Sequence, residues 1–405
     1  MLAYNSRQDA PLMETVKGIP NPMAPDRFAQ IRPYHDDEVR GVIDRLLTSR
    51  EFVEVITRLR FPRCHGFYGA FLRPVVALFL RHQVAGVHDV ASFQDVIERY
   101  MAKMIDESTS DFTVSGLERL DPERPFLFIG NHRDIVLDPA FVNYALYSGG
   151  HDTVRIAIGD NLLTRDYVAD LMRLNKSFIV RRSAKGPRQV LAALQELSAY
   201  ISHSVLQDRA PVWIAQREGR AKDGWDRTDP AIIKMLALAK PRDVPLSDYL
   251  LSLNIVPVSI SYEWDPCDAL KARELYLRAS KGGYEKGDNE DVASIGRSVT
   301  QPKGAVHVSF GEPLAGEFAD ADAVATEIDR QVLALYRIHD SNLAAYRRLR
   351  HALPEGFGDG STLVVADAEF NARLERIAPE HRPYLLTMYA NPLFNRAEFD
   401  AEGRP

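Results

Sequence analysis

The sequence predicts an α/β fold in which a mostly parallel sheet is flanked by helices, with helical regions at both ends of the chain. Between residues 116 and 316, short apolar segments bounded by glycine or proline have the length of buried strands. They alternate with segments of helical spacing, which is the pattern of parallel strands joined by covering helices. The sequence contains no internal repeat that would indicate a repeat architecture.

Four parts of the 405-residue chain follow from the same patterns. Residues 1–35 are rich in proline and polar side chains and are expected to form an extended arm. Residues 36–115 have helical spacing and predict a helical N-terminal region. The α/β domain spans residues 116–316, and residues 317–405 predict a helical extension that is interrupted by a glycine-rich loop at 356–360.

Charge and cysteine content narrow the class of protein. The 50 basic and 56 acidic residues give a net charge of −6, which argues against a surface that generally binds nucleic acid. Cys64 and Cys267 are the only cysteines and lie far apart in the sequence, so they predict neither a disulfide framework nor a metal site. This cysteine usage suits the reducing cytoplasm, which is the expected location.

The most apolar stretch, residues 67–80, is too short to cross a bilayer. About 20 apolar residues are needed for that, and Arg73-Pro74 interrupts this stretch. The N-terminus also lacks the basic segment and apolar run of a secretory signal. We expect a core helix here. The alternative is a peripheral helix on the inner face of the membrane, with Arg63, Arg73 and Arg81 among its aromatic residues.

A histidine follows the predicted core strand Phe126–Ile129. His132 lies in the loop between this strand and the next helix, where α/β enzymes usually place their chemistry. Asp138-Pro139 has the pattern of a helix N-cap followed by proline. An imidazole at this place can remove a proton from an alcohol if a carboxylate orients it, and Asp138 is the expected partner, with Asp134 as the alternate. Otherwise His132 and Asp138 only complete the loop and cap the helix.

The Asn131-His132 pair resembles the first motif of the glycerolipid acyltransferases, the family that includes glycerol-3-phosphate and lysophosphatidate acyltransferases. In that motif four residues separate the histidine from an aspartate, whereas five separate His132 from Asp138 in this chain. The resemblance implies that His132 is the catalytic base. The longer spacing leaves Asp138 and Asp134 open as its partner.

A second block resembles the family's strand followed by paired basic residues. Here the strand-like segment Ser177–Val180 leads into Arg181-Arg182, with Lys185 nearby. Guanidinium groups suit phosphate because their planar forks donate two parallel hydrogen bonds. The resemblance implies that these three cations hold the phosphate of an acceptor, and the alternative is a solvated basic turn before a helix.

The third block is the strand-like segment Val212–Ala215 and the charged loop after it. The family's pattern is a strand followed by Glu-Gly, one residue and Arg. When the chain is aligned on Arg220, Arg217 occupies the glutamate position, and Glu218-Gly219 is displaced by one residue. The resemblance implies that Arg220 binds phosphate and that Glu218-Gly219 organises the acceptor. A surface ion pair is the alternative for Glu218.

Two later segments complete the resemblance. Asn254–Glu263 is similar to the family's apolar strand with one proline, and residues 306–314 are similar to the strand and Gly-Glu-Pro-Leu turn that end its catalytic domain. Between them, the charged segment 271–301 predicts a surface excursion. The ordered combination of blocks favours the glycerol-3-phosphate acyltransferase branch.

The resemblance implies transfer of an acyl group from a thioester of coenzyme A or acyl carrier protein to a hydroxyl of glycerol-3-phosphate. His132 would act as general base, and the acceptor oxygen would attack the thioester directly, with no covalent acyl-enzyme, bound cofactor or metal. Backbone N–H groups at the loop and helix start beyond His132 are the expected donors to the oxyanion.

Two alternatives remain open at this point. The acceptor of the same reaction can be lysophosphatidate or another lysolipid. From a different class, the chain can be a non-catalytic lipid-binding or phosphate-binding protein, which a separation of Asp138 from His132 would favour. The absence of a Gly-x-Ser-x-Gly motif argues against a serine hydrolase.

Overall fold

The structure is a computed structural model that describes residues 26–61, 67–287, 290–353, 356–357 and 363–401. Its strands are β1 (Thr109–Ser115), β2 (Leu127–Gly130), β3 (Arg155–Gly159), β4 (Ser177–Val180), β5 (Val212–Ala215), β6 (Ile255–Tyr262) and β7 (Gly304–Phe310). Its α-helices are α1 (Asp36–Thr48), α2 (Arg50–Arg60), α3 (Phe67–Gln83), α4 (Val90–Ser108), α5 (Leu137–Ser148), α6 (Asp166–Leu174), α7 (Pro187–Leu206), α8 (Pro230–Leu236), α9 (Leu246–Ser252), α10 (Asp268–Lys281), α11 (Glu290–Thr300), α12 (Ala321–Leu335), α13 (Asp340–Arg350), α14 (Val364–Glu375) and α15 (Arg382–Ala401).

Within these residues, seven strands form one sheet in the order β1-β7-β6-β2-β5-β3-β4. β7 runs antiparallel to β6, and the other neighbouring pairs are parallel. The predicted fold class, a mostly parallel sheet flanked by helices, is therefore confirmed. β1 lies before residue 116 and pairs with β7, so the sheet begins within the segment that was predicted to be helical.

β2 shows how the sequence buries both faces of the sheet. Leu127 and Ile129 pack into the core on one face, whereas Phe126 and Phe128 pack into the core on the other. Successive side chains of a strand point to opposite faces, so a strand covered on both sides needs an uninterrupted apolar run. This burial fixes the carboxyl end of β2, where the loop that carries His132 begins.

An opening in the sheet lies between β3 and β5. These strands pair only at Arg155 with Val212 and at Ile156 with Trp213. Beyond that point β3 continues to pair with β4 as far as Gly159, and β5 continues to pair with β2. The carboxyl ends of β3 and β5 therefore leave a gap in the sheet beside the His132 loop.

The described residues nearest the two ends of the chain pack against the rest of the protein. Residues 1–25 of the predicted arm lie outside the described part, and the adjoining turn buries Phe28 and Ile31. At the other end, α15 lies against the loop that follows β5: Gly224 has φ +78°, and a Cβ there would come within 2.0 Å of the Met388 carbonyl oxygen. Glycine is required at this contact. Residues 358–360 of the predicted glycine-rich loop lie outside the described residues.

The segment 271–301 differs from the predicted surface excursion. It contains most of α10 and all of α11, and several of its polar side chains are buried against the rest of the protein, including Lys271 and Ser298. Sequence reasoning took its charges as a sign of exposure. The charges of Lys271 and Glu274 are instead compensated by ion pairs with Asp265 and Lys222.

We expect the buried His339 to make the free energy of unfolding depend on pH. It precedes α13, is buried, and places Nε2 3.0 Å from the Ser261 hydroxyl. Burial, with Arg337 and His307 nearby, lowers the pKa of His339 to about 3. In the unfolded chain a histidine has a pKa of about 6.5. Below pH 6.5 the His339 side chain is protonated in the unfolded chain but stays neutral in the folded protein. The free energy of unfolding therefore falls on acidification, by at most about 1.4 kcal/mol per pH unit.

We expect His339→Gln to remove this dependence. The stability advantage of wild type over the variant should then be constant above pH 6.5 and should shrink between pH 6.5 and 5. Urea unfolding of both proteins at pH 7.5, 6.5 and 5.5 measures the difference, in which the titration of all other groups cancels. A difference that does not change over this range would contradict the prediction.

Candidate functional site

The structure pairs His132 with Asp138. His132 lies in the loop between β2 and α5, and its Nδ1 is 2.8 Å from Oδ2 of Asp138 in α5. The Asp138 side chain is only 1% exposed. A buried carboxylate accepts a hydrogen bond, so Nδ1 carries the proton and the lone pair lies on Nε2. The His132 side chain is 16% exposed and lines a cavity. This arrangement is that of an oriented general base.

Asp138 is itself held by three further donors. Its Oδ2 accepts the backbone N–H groups of Arg133, at 2.6 Å, and Asp134, at 2.8 Å. Its Oδ1 accepts the Tyr262 hydroxyl at 2.8 Å. These bonds close the five-residue loop around the carboxylate, so the longer spacing still brings Asp138 to His132.

Asp134, the alternate partner, has another task. Its Oδ1 accepts the backbone N–H groups of Val136 and Leu137, at 3.1 and 3.0 Å, at the start of α5, and its Oδ2 accepts the Ser298 hydroxyl. Burial and the neighbouring Asp138 raise the pKa of Asp134. The predicted N-cap at Asp138 is wrong, because Asp134 supplies the capping oxygen and Asp138 lies inside the first turn of α5.

Four of the backbone N–H groups that were expected to donate to an oxyanion bind carboxylates instead. The N–H groups of Arg133 and Asp134 donate to Asp138, and those of Val136 and Leu137 donate to Asp134. A donor that is already bound to a carboxylate is not available to a developing oxyanion. These four groups instead hold the two aspartates in place.

Buried polar contacts hold the His132 loop on the side that faces the protein interior. Asn131 donates to Asp226 and to the Ile260 carbonyl, at 3.1 and 3.0 Å, and its own Oδ1 accepts the Ile260 N–H at 2.8 Å. Arg133 donates to Asp226 at 2.6 Å. Burial by itself would lower the pKa of Arg133, but Asp226, with Tyr336 and Asp265 nearby, raises that pKa above its usual value. The residues on both sides of His132 are thus anchored in the interior.

Trp213 positions the imidazole ring from the neighbouring strand β5. The two rings meet edge to face, with centroids 5.9 Å apart and an interplanar angle of 69°. The indole also lies over Gly130, where an added Cβ would come within 2.9 Å of Trp213 Nε1. The glycine that ends β2 therefore makes room for the side chain that packs on His132.

The cavity beside His132 has a volume of about 760 Å³, within the range of small-molecule sites. It opens where β3 and β5 separate, and it is lined by Ile158, Gly159 and Ala215 at their carboxyl ends. Apolar side chains from helices on both sides of the sheet form much of its wall, among them Met101, Tyr144, Met172, Leu197, Ile201 and Met235. Its apolar wall and its basic rim suit an amphipathic ligand.

The predicted basic pair lies at this cavity, but its members differ. Arg182 Nε lies 3.7 Å from Glu218 Oε1 across the cavity rim. Arg181 also lines the cavity, yet its guanidinium contacts Gln30 at 3.1 Å and Glu196 at 3.3 Å. Lys185 is exposed and lies outside the cavity lining.

The third block supplies further cations to the same rim. Arg220, Arg217, Glu218 and Gly219 all line the cavity. The Ala221 N–H donates to the His132 carbonyl at 2.8 Å, which attaches this loop to the first block. The Arg220 side chain is 8% exposed, and its ion pair among the described residues is a 3.9 Å contact with Asp291. Arg220 therefore has a largely buried side chain whose ion pair with Asp291 is long.

Sequence reasoning missed several residues that complete the site. Tyr262 and Trp213 were assigned only to strands, although both hold the His132–Asp138 pair in place. Arg278, Lys286 and Asp291 come from the segment that was predicted to be a surface excursion, yet all three line the cavity. Glycines and charges in that segment carried no signal of its position.

Comparisons with known proteins agree with these motifs. Residues 111–261 match the protein family described as "Acyltransferase". The bovine dihydroxyacetone phosphate acyltransferase is 26% identical over 205 residues, which cover 50% of this chain and 28% of that enzyme, and the human one is 25% identical over 206 residues. The chain thus matches little more than a quarter of the length of these relatives.

Among solved structures, the 1-acyl-sn-glycerophosphate acyltransferase from Thermotoga maritima matches 70% of this chain and 92% of its own. The TM-score of that match is 0.35 and the sequence identity is 16%.

Proposed function

We propose that this chain, whose residues 111–261 match the acyltransferase family, is a glycerolipid acyltransferase that transfers a fatty acyl group from an acyl thioester to a hydroxyl of glycerol-3-phosphate. The observation that carries the proposal is the His132–Asp138 pair at the wall of a cavity that is largely apolar and has arginines at its rim. An acyl chain needs the apolar wall, and a phosphate needs the cations.

In the proposed reaction, His132 Nε2 removes the proton from the acceptor hydroxyl. The oxygen attacks the thioester carbonyl, and the C–S bond breaks as the carbonyl re-forms. The departing thiolate takes the proton from the imidazolium, which restores neutral His132. Asp138 stabilises the imidazolium between the two proton transfers and remains a carboxylate throughout.

General-base catalysis typically accounts for about 10²–10⁴-fold of the rate. The remaining acceleration must come from positioning and from charge stabilisation. Arg182 and Arg220 are the proposed ligands of the acceptor's phosphate, because both lie on the rim of the cavity that His132 lines. Glu218, through its contact with Arg182, and Gly219 are proposed to shape this rim.

We expect Arg220→Ala to raise the KM for glycerol-3-phosphate by about tenfold or more, because a hydrogen bond between charged groups contributes about 1.5–3 kcal/mol. Arg181→Ala is the matched comparison. Its effect should be smaller because the Arg181 guanidinium contacts Gln30 and Glu196. Initial rates against acceptor concentration measure both, and an equal or larger effect of Arg181→Ala would contradict the assignment.

The identity of the acceptor can be tested directly by comparing candidate substrates. The curated relatives are named for dihydroxyacetone phosphate, which shares a phosphate and a primary hydroxyl with glycerol-3-phosphate. Lysophosphatidate is the third candidate. Thiol release from palmitoyl-coenzyme A, and from palmitoyl-acyl carrier protein, should be measured with each acceptor and with none.

Release that requires glycerol-3-phosphate supports the proposal. Release that instead requires dihydroxyacetone phosphate or lysophosphatidate moves the assignment to that acceptor. An absence of release with both donors and all acceptors would overturn the proposed activity and favour a non-catalytic binding protein.

We further propose that this protein is cytoplasmic and binds the inner face of the membrane through α3. None of the helices in the described residues has the length and apolar character to span a bilayer. On α3, Val75 is 61%, Leu78 69% and Phe79 47% exposed. These positions share one helix face, as in helices that lie on a lipid surface.

We expect co-sedimentation with anionic phospholipid vesicles to fall several-fold in a Val75→Ser, Leu78→Ser variant, because it removes apolar area from the proposed contact. Val364→Ser with Val365→Ser is the matched control, since Val364 and Val365 are 71% and 80% exposed on α14. Equal vesicle binding by wild type and both variants would contradict the proposed contact.

A further inference from the structure

The segment between β6 and β7, formed by α10, residues 282–287 and α11, is fastened to both loops of the site. We refer to these residues, Asp268–Thr300 without 288–289, as the insert. Lys271 Nζ donates to the Arg133 carbonyl at 2.6 Å, and the Ser298 hydroxyl donates to Asp134. Glu274 forms an ion pair with Lys222 in the loop after β5. The insert is therefore fixed relative to His132 and Arg220.

Three charged side chains of the insert line the cavity that contains His132: Arg278, Lys286 and Asp291. Lys286 Nζ lies 2.7 and 3.0 Å from the two carboxylate oxygens of Asp291. The second cation beside Asp291 is Arg220, at 3.9 Å. One carboxylate thus lies between a cation of the insert and the arginine of the third block.

The pairing of Arg220 is incomplete. Its side chain is 8% exposed, yet within the described residues its guanidinium makes no hydrogen bond, and 3.9 Å is too long for one. A buried guanidinium is expected to have bidentate partners. The described contacts leave Arg220 able to accept an anion whose oxygens come closer than those of Asp291.

We propose that Lys286 is a ligand of the acceptor's phosphate together with Arg220, and that Asp291 is the carboxylate which this phosphate replaces. The inference rests on the proposed function for the identity of the acceptor. A phosphate carries more negative charge than a carboxylate and presents three acceptor oxygens, so it satisfies Arg220 and Lys286 together. The insert then determines specificity for phosphorylated acceptors, from a segment outside those that resemble the acyltransferase motifs.

The proposal separates effects on binding from effects on chemistry. Lys286→Ala should weaken glycerol-3-phosphate binding by about tenfold, the size expected from losing one charge-assisted hydrogen bond at a half-exposed site. It should raise the KM for the acceptor by a similar factor and change kcat little. Lys286→Arg should restore most of the loss. Asp291→Asn should tighten binding by about threefold, because it removes a negative charge beside the phosphate.

The control is Lys281→Ala, which removes the same charge from the insert at an exposed position outside the cavity lining. Titration calorimetry with glycerol-3-phosphate, without thioester, gives Kd for the full-length wild type and each variant. Acyl transfer from palmitoyl-coenzyme A gives KM and kcat. Thermal unfolding checks that Lys286→Ala keeps the fold, which we expect because the Lys286 side chain is 43% exposed.

The outcomes distinguish the two proposals. Weaker binding by Lys286→Ala but not by Lys281→Ala supports the inference, even where no acceptor is acylated. Unchanged Kd and KM in Lys286→Ala, or weaker binding by Asp291→Asn, would overturn the inference and leave the proposed acyl transfer intact. Equal losses in Lys286→Ala and Lys281→Ala would also overturn it, because general charge would then explain the effect.

Discussion

Replacing His132 with alanine is expected to lower kcat for acyl transfer by at least about 10²-fold, the lower end of what a general base contributes. The reason is that Nε2 is the atom placed to take the hydroxyl proton, with Nδ1 held by Asp138 at 2.8 Å. The KM for the acceptor should change little, since His132 acts on the hydroxyl rather than on the phosphate. Initial rates at saturating glycerol-3-phosphate measure this loss.

The fold must be intact for this result to count. The His132 side chain is partly exposed and makes its polar contact with Asp138, so we expect the variant to unfold close to the wild-type temperature. Binding of glycerol-3-phosphate by the variant provides a second check. Wild-type turnover by a folded His132→Ala protein would contradict the assignment of His132 as the general base.

The second large effect is expected for Asp138→Asn, with a loss of about 10²–10⁴-fold in kcat. The asparagine oxygen can still accept the N–H groups of Arg133, Asp134 and His132 Nδ1, because all three reach the same Asp138 oxygen, and the amide group then faces Tyr262. The variant keeps the orientation of the ring but loses the negative charge that stabilises the imidazolium in the transition state. The expected signature is a lower kcat at nearly unchanged acceptor binding.

Asp134→Asn is the matched control, because the same change is made only four residues before Asp138. Asparagine can still accept the N–H groups at the start of α5, and Asp134 makes no contact with His132 among the described hydrogen bonds. We expect kcat within a few-fold of wild type and a lower unfolding temperature. A larger loss of activity in Asp134→Asn than in Asp138→Asn would reverse the assignment of the two aspartates.

The sequence predicted the fold class well because its signal is local. The apolar run at Phe126–Ile129 requires burial on both faces, and its position before His132 places the histidine at the carboxyl edge of a sheet. The strand β1 was missed, because Thr109–Ser115 is partly exposed and mostly polar. Its pairing with β7 depends on a strand almost 200 residues later in the chain.

Within the site, spacing could not decide between the two aspartates. Asp134 lies in the loop and Asp138 four residues later in the first turn of α5, and their roles depend on which backbone N–H groups each one reaches. The charged residues of the insert were beyond sequence reasoning for a different reason. Lys286 and Asp291 meet Arg220 only through the fold, and their local sequence is that of an exposed loop.

The most direct test of the central claim is mass-spectrometric detection of acylglycerol phosphate after incubation with palmitoyl-coenzyme A or palmitoyl-acyl carrier protein and glycerol-3-phosphate. Wild type and His132→Ala are compared at equal concentration. We expect product from wild type only when both substrates are present, and at least about 10²-fold less from His132→Ala. Equal product from the folded variant, or none from wild type with either donor, would contradict the account.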